Sequence, residues 1–159
     1  MNILLKIIAI GIGATLILDF WNFLLGLVGI KSLDYRYLGR WIGNFVNGKF
    51  YHNNIMQTPA IRNELLIGWT VHYIIGISFS FLLVIMFGSN WLSHPLIVPA
   101  MITGLGTLLF PLFIMQPALG FGIASSHLPD PFVRVLKSII THLVYGSGLY
   151  LSALLINKF

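Results

Sequence analysis

Four stretches of this chain, from about Ile3 to Ile30, Leu65 to Phe87, Pro95 to Met115 and Lys137 to Ile156, are almost wholly apolar. Each is near the roughly 20 residues that a helix needs to cross the hydrocarbon core of a bilayer. A water-exposed surface cannot be built from what remains. The chain is 57% hydrophobic and 8% charged, whereas soluble domains carry about a quarter charged residues. The predicted fold is all-α, a polytopic membrane protein with four transmembrane helices in one domain over residues 1–159. The first apolar run continues past Asp19 to Gly29 with no small-x-small cleavage site. It therefore reads as a retained span rather than a secretory leader.

The connections carry the charge. Residues 31–64 hold Lys31, Arg36, Arg40, Lys49 and Arg62, and Arg134 and Lys137 lie around the end of the second long connection, 116–136. Those seven cations face two, Lys6 and Lys158, on the other side. The positive-inside rule then puts both long connections in the cytoplasm and both termini outside. A net charge of +5 spread over short loops suits the bilayer and its anionic lipid headgroups, not nucleic acid. The absence of cysteine excludes disulfides, thiolate metal sites and cysteine nucleophiles.

In the first long connection Leu33, Tyr37, Leu38, Trp41, Ile42 and Phe45 recur at helical spacing, with Arg36, Arg40 and Asn44 on another face. That pattern predicts an amphipathic helix lying at the interface. Arg40 would be placed to hold an anionic headgroup or a substrate carboxylate. After the third span, Pro117 is expected to stop the helix and Pro111 to kink it. The Gly-punctuated run from Ala118 to Ser126 would then be a broken or re-entrant segment.

Ionisable groups inside a bilayer are costly and ask for a partner or a function. Asp19, His72 and His142 stand in spans one, two and four. At 1.5 Å per residue they lie roughly 8 to 15 Å below one membrane face. Gln116 closes the loop-side end of span three. Small and polar residues share their stripes (Gly11, Thr15, Asp19, Asn22 and Gly26; His72, Gly76 and Ser80; Ser138, His142, Gly146 and Tyr150), which turns these faces inward. A faint repeat also appears. Gly11-x-Gly13 in span one parallels Gly104-x-Gly106 in span three, and His72 and Gly76 parallel His142 and Gly146, as in two hairpins of the same orientation.

Several readings follow. His72, His142 and Asp19 are a plausible shell for a transition metal, the two imidazoles suit axial haem ligation, and the three together suit a proton relay for transport of a small substrate. A membrane enzyme acting on a lipid or quinone-like substrate would use the same residues as acid–base groups or ligands, with Arg40 on the headgroup. A structural or accessory subunit would use them as packing bonds only. Transport through so narrow a bundle favours a homo-oligomer. His52 and His127 in the loops are available to join a site, and His94 stands at the opposite interface.

The segments Leu18-Asp19-Phe20-Trp21, Gly39-Arg40-Trp41-Ile42-Gly43, Gly68-Trp69-Thr70-Val71-His72-Tyr73-Ile74-Ile75-Gly76, Met115-Gln116-Pro117, Pro129-Asp130-Pro131 and Thr141-His142 with Gly146 and Gly148 resemble the motifs of one family. It is the uncharacterised bacterial integral-membrane proteins catalogued as domain of unknown function 2938. The resemblance covers nearly the whole chain in order and implies a bacterial inner-membrane protein of about this length. It brings no activity with it, but its motif positions include Asp19, Arg40, His72, Gln116 and His142.

Overall fold

The computed structural model describes residues 2–30 and 32–158, so Lys31 of the charge count lies outside the described residues. The regular structure among those residues is all helical, with no strand. Four helices are long and apolar enough to cross a membrane: α1 (Ile3–Leu27), α3 (Glu64–Phe87), α4 (Ile97–Ala118) and α5 (Pro131–Ile156). Between the first two lies the nine-residue α2 (Tyr35–Gly43). Asn2 starts α1 by accepting from the Leu5 amide, and Asp34 starts α2 by accepting from the Arg36 amide. Both satisfy donors that a helix start leaves unpaired.

Two boundaries differ from expectation. Pro117 does not end the third span; α4 runs on to Ala118 through a π-helical turn at Pro111–Met115. Pro111 has no amide hydrogen to give and crowds the preceding turn. The helix accommodates it by widening, with the Gln116 amide donating five residues back to the Pro111 carbonyl. The last helix begins six residues before the predicted Lys137, at Pro131, because proline's fixed φ and missing donor suit a first helical turn.

The chain divides into two compact units. One comprises residues 1–32, 73–107 and 139–159. Its core joins Ile7, Ile10, Ala14 and Leu18 of α1 to Leu83, Ala100, Tyr145, Leu149 and Ala153. Glycines let its helices touch along the backbone. A Cβ at Gly11 would lie 2.7 Å from the Ile77 Cα, and one at Gly104 would lie 2.9 Å from the Gly146 Cα. Trp91, suited by sequence to an aromatic belt, is instead buried and donates its indole N–H to the Leu96 carbonyl at 3.0 Å.

The other unit comprises residues 33–72 and 108–138. Leu38 and Trp41 of α2 form its core with Ile55, Leu119 and Phe121. Backbone bonds from His52 N to Ala118 O (2.8 Å) and from Ile55 N to Leu119 O (3.0 Å) lay the 52–58 loop along the end of α4. The segment after α4 is broken as expected, with left-handed residues at Gly120, Gly122, Ala124 and Ser125. Phe121, Gly122 and Ser125 are buried within this unit. The polar face of α2 is only partly outward: Arg36 is exposed, whereas Arg40 and Asn44 are buried, 8% and 7% exposed.

Candidate functional site

Asp19 projects from α1, half-buried, and accepts a hydrogen bond at 2.9 Å from the Tyr73 hydroxyl of α3. One turn before it, the Thr15 hydroxyl donates to the Gly11 carbonyl at 2.8 Å, so this stripe of α1 is polar but internally satisfied. Tyr145 of α5 donates to the Gly76 carbonyl at 2.6 Å.

His142 sits on α5 where α4 approaches most closely. Its Nδ1 is 3.0 Å from Thr107 Oγ1 and 3.2 Å from the Gly104 carbonyl oxygen, and the Thr107 hydroxyl lies 2.7 Å from that same carbonyl. A carbonyl oxygen only accepts, so the proton on this face belongs to Nδ1 and the Thr107 hydroxyl spends its own on Gly104. That assigns the tautomer by bonding geometry. Nε2 is therefore a lone pair, and it has no hydrogen-bond partner among the described residues.

In the other unit His72 of α3 is held by Tyr35 of α2. The rings stack at 4.3 Å, and the Tyr35 hydroxyl lies 3.1 Å from His72 Nε2. Trp69 meets the same imidazole edge-on. Gln116, just past the π turn, is buried and accepts from the Ser125 hydroxyl at 3.1 Å. Its side chain thereby anchors the left-handed stretch that follows α4.

Arg40 spends four of its five guanidinium N–H groups within the protein. Its Nε and one terminal nitrogen donate to Glu64 at 2.8 and 2.9 Å, and the other terminal nitrogen donates to the Ile55 and Thr58 carbonyls at 3.0 and 2.7 Å. The Glu64 hydrogen bonds raise its pKa further, against the opposing effect of burial. Arg40, suited by sequence to a headgroup or substrate carboxylate, makes a fork-on-fork ion pair with Glu64. Sequence reasoning passed over Glu64, the only acidic residue between Asp34 and Asp130.

His52 also gains significance. Its Nδ1 lies 3.1 Å from the Thr58 hydroxyl, which donates to the Asn54 carbonyl at 3.1 Å, and its Nε2 is buried with no hydrogen-bond partner. Burial, ahead of the Lys49 and Arg40 charges, holds its pKa below the ordinary imidazole range. His94 and His127 are exposed.

Among the described residues no group of three or more His, Asp or Glu side chains is placed to hold a metal ion.

The model of the family described as "Protein of unknown function (DUF2938)" matches residues 8–156. No curated protein and no solved structure matches the chain. The chain belongs to the DUF2938 family.

Proposed function

We propose that this DUF2938 protein is a small carrier of a bacterial inner membrane, moving a small substrate in step with protons that Asp19 and His142 bind and release. The observation that carries the reading is the unpartnered Nε2 lone pair of His142 inside a membrane-spanning helix. An imidazole serving only to pack helices would be expected to spend both nitrogens on neighbours, since unmet polar atoms in hydrocarbon are costly. Here one nitrogen fixes the ring and the other is left to take a proton. Asp19, with its Tyr73 bond, supplies a carboxylate in the same unit.

The runner-up, an enzyme acting on lipids or quinones, relied on Arg40 to hold an anionic headgroup. The Glu64 pair and two carbonyls already take that guanidinium. The carrier reading is also supported by parallel use of the two hairpins. Gly11 of α1 meets Gly76 and Ile77 of α3, as Gly104 of α4 meets Gly146 of α5, the pairing expected of transporters built from repeats. The reading places the connections 31–64 and 116–136 in the cytoplasm, and two or more copies together in the membrane.

The test needs no substrate. Protein reconstituted on a solid-supported membrane is given a rapid pH jump, and the transient charge displacement is recorded. The wild type is expected to give a displacement that is lost in Asp19→Asn and in His142→Gln, both still monodisperse in detergent. A folded wild type with no displacement, or one unchanged in both variants, overturns the reading.

A further inference from the structure

The turn that follows α2 holds its apolar side chains away from the protein. Val46 is 88% exposed, Phe50 60% and Tyr51 61%, yet the backbone beneath them is firmly tied. Gly48, at φ +69°, closes a 3-10 turn over Asn44–Asn47, and the Lys49 amide returns to the Asn44 carbonyl at 3.2 Å. The Trp41 indole donates to the Phe50 carbonyl at 2.9 Å, and the Phe45 and Phe50 rings sit 4.8 Å apart. Large side chains presented to the outside by so braced a turn suit a partner surface.

The position of the turn identifies that surface. α2 is pressed directly onto the first turns of the spanning helix α3. A Cβ at Gly39 would overlap the Glu64 carbonyl, and one at Gly68 would overlap the Tyr35 carbonyl. The outer side of those turns of α3 carries exposed Leu65, Leu66 and Trp69, the composition of a helix leaving hydrocarbon for the headgroup layer. The exposed face of the 46–51 turn thus belongs to the same unit as a lipid-facing helix end. Beside it opens a cavity of about 460 Å³ lined by Lys49, Tyr51, Asn53, Asn54, Gln57 and Thr58. The Lys49 ammonium and the carboxamides of Asn53, Asn54 and Gln57 are donors suited to phosphate oxygens, and no carboxylate lines the space to repel them.

We propose that the 46–51 turn is a bilayer anchor: Val46, Phe50 and Tyr51 sit among the lipid at the interface, and Lys49 with the neighbouring carboxamides holds the phosphate of an anionic phospholipid. The inference is independent of proton transport and concerns a different part of the chain.

The chain has no cysteine, so a single Val46→Cys or Gln57→Cys variant takes a nitroxide label without background. In nanodiscs of phosphatidylglycerol and phosphatidylcholine, the label at 46 is expected to collide more with oxygen than with a water-soluble nickel complex. The label at 57 is expected to show the reverse. Equal access of the nickel complex to both sites overturns the anchor, and so does a label at 46 shielded from both reagents, the mark of a protein partner. For the headgroup, lipids retained by the intact protein are weighed by native mass spectrometry. Lys49→Gln is expected to lower phosphatidylglycerol retention about fivefold, the worth of one cation at a charged surface. Retention unchanged in Lys49→Gln overturns the headgroup assignment. Loss of the bound lipid on adding millimolar inorganic phosphate would overturn the lipid source in favour of a free anion site.

Discussion

At the scale of single residues, the strongest local commitment in this protein is Arg40 to Glu64. The pair has side-chain exposures of only 9% and 12%. Four of the five guanidinium N–H groups are directed at Glu64 or at the carbonyls of Ile55 and Thr58. Removing one member of a buried pair leaves the other charged and unmet, at a cost of roughly 3 to 5 kcal/mol. Arg40→Ala is therefore expected to lower the thermal midpoint in detergent steeply, and Arg40→Lys to recover little, since an ammonium cannot reproduce the fork. A midpoint unchanged in Arg40→Ala would show that the pair is a surface ornament. His52 makes the complementary prediction for pH. Its folded-state pKa lies below the ordinary 6.5, so between those values the unfolded chain binds the extra proton. Stability should consequently fall as pH drops through about 6.5 and level off below the folded pKa. His52→Asn should flatten that fall, measured as unfolding midpoint against pH. Identical slopes in the two proteins would remove His52 as the cause.

At the scale of elements, the crossing of α4 and α5 is where packing and site chemistry coincide. Gly104 meets Gly146 along the backbone, and its carbonyl also receives the Nδ1 proton of His142. Gly104→Val must force these helices apart, an overpacking cost of about 1 to 3 kcal/mol, and with it the imidazole's anchor. The expected result is a folded but less stable protein whose pH-jump displacement is diminished. A variant as stable as wild type would contradict the contact. The same elements show what can be read without a structure. Four spans were visible because uninterrupted apolar runs have few alternatives in water or lipid. The ends of α4 and α5 were not, because a proline's effect depends on the register it meets. Pro117 lies two residues beyond the end of a π turn that carries α4 on to Ala118, and Pro131 opens a helix instead of preceding one. The polar residues of the spans were legible as types, and their partners were not. Asp19 finds Tyr73 54 positions away, His142 finds Thr107 35 away, and Arg40 finds Glu64 24 away. No periodicity within a helix encodes such pairs.

At the scale of the whole molecule, the proposed sidedness of the chain rests on where its cations fall. In the proposed topology, four crossings put the two long connections on one face and both termini on the other. The unit made of residues 33–72 and 108–138 holds Arg36, Arg40, Lys49, Arg62, Arg134 and Lys137. Arg40 is neutralised by Glu64 and Arg36 lies 3.4 Å from Asp34. These pairings leave the positive-inside count intact, since acidic residues contribute little to it. The length of α5 agrees with this. Its 26 residues make about 39 Å, more than the roughly 30 Å hydrocarbon thickness. Its first two turns, with Arg134 and Lys137 among exposed Phe132, Val133 and Leu136, can therefore extend into the headgroup layer. The excess sits at the charged end, where long cationic side chains reach water by snorkelling. A fluorescent protein fused to the C-terminus is accordingly expected to stay dark in cells, and a phosphatase there to be active. The same reporters inserted after Gly48 should behave in the opposite way. Fluorescence at the C-terminus would invert the orientation and place the cation-rich connections outside. Arg134→Gln with Lys137→Gln should then leave the orientation unaltered, whereas under the positive-inside reading the two changes weaken it and produce a mixed population.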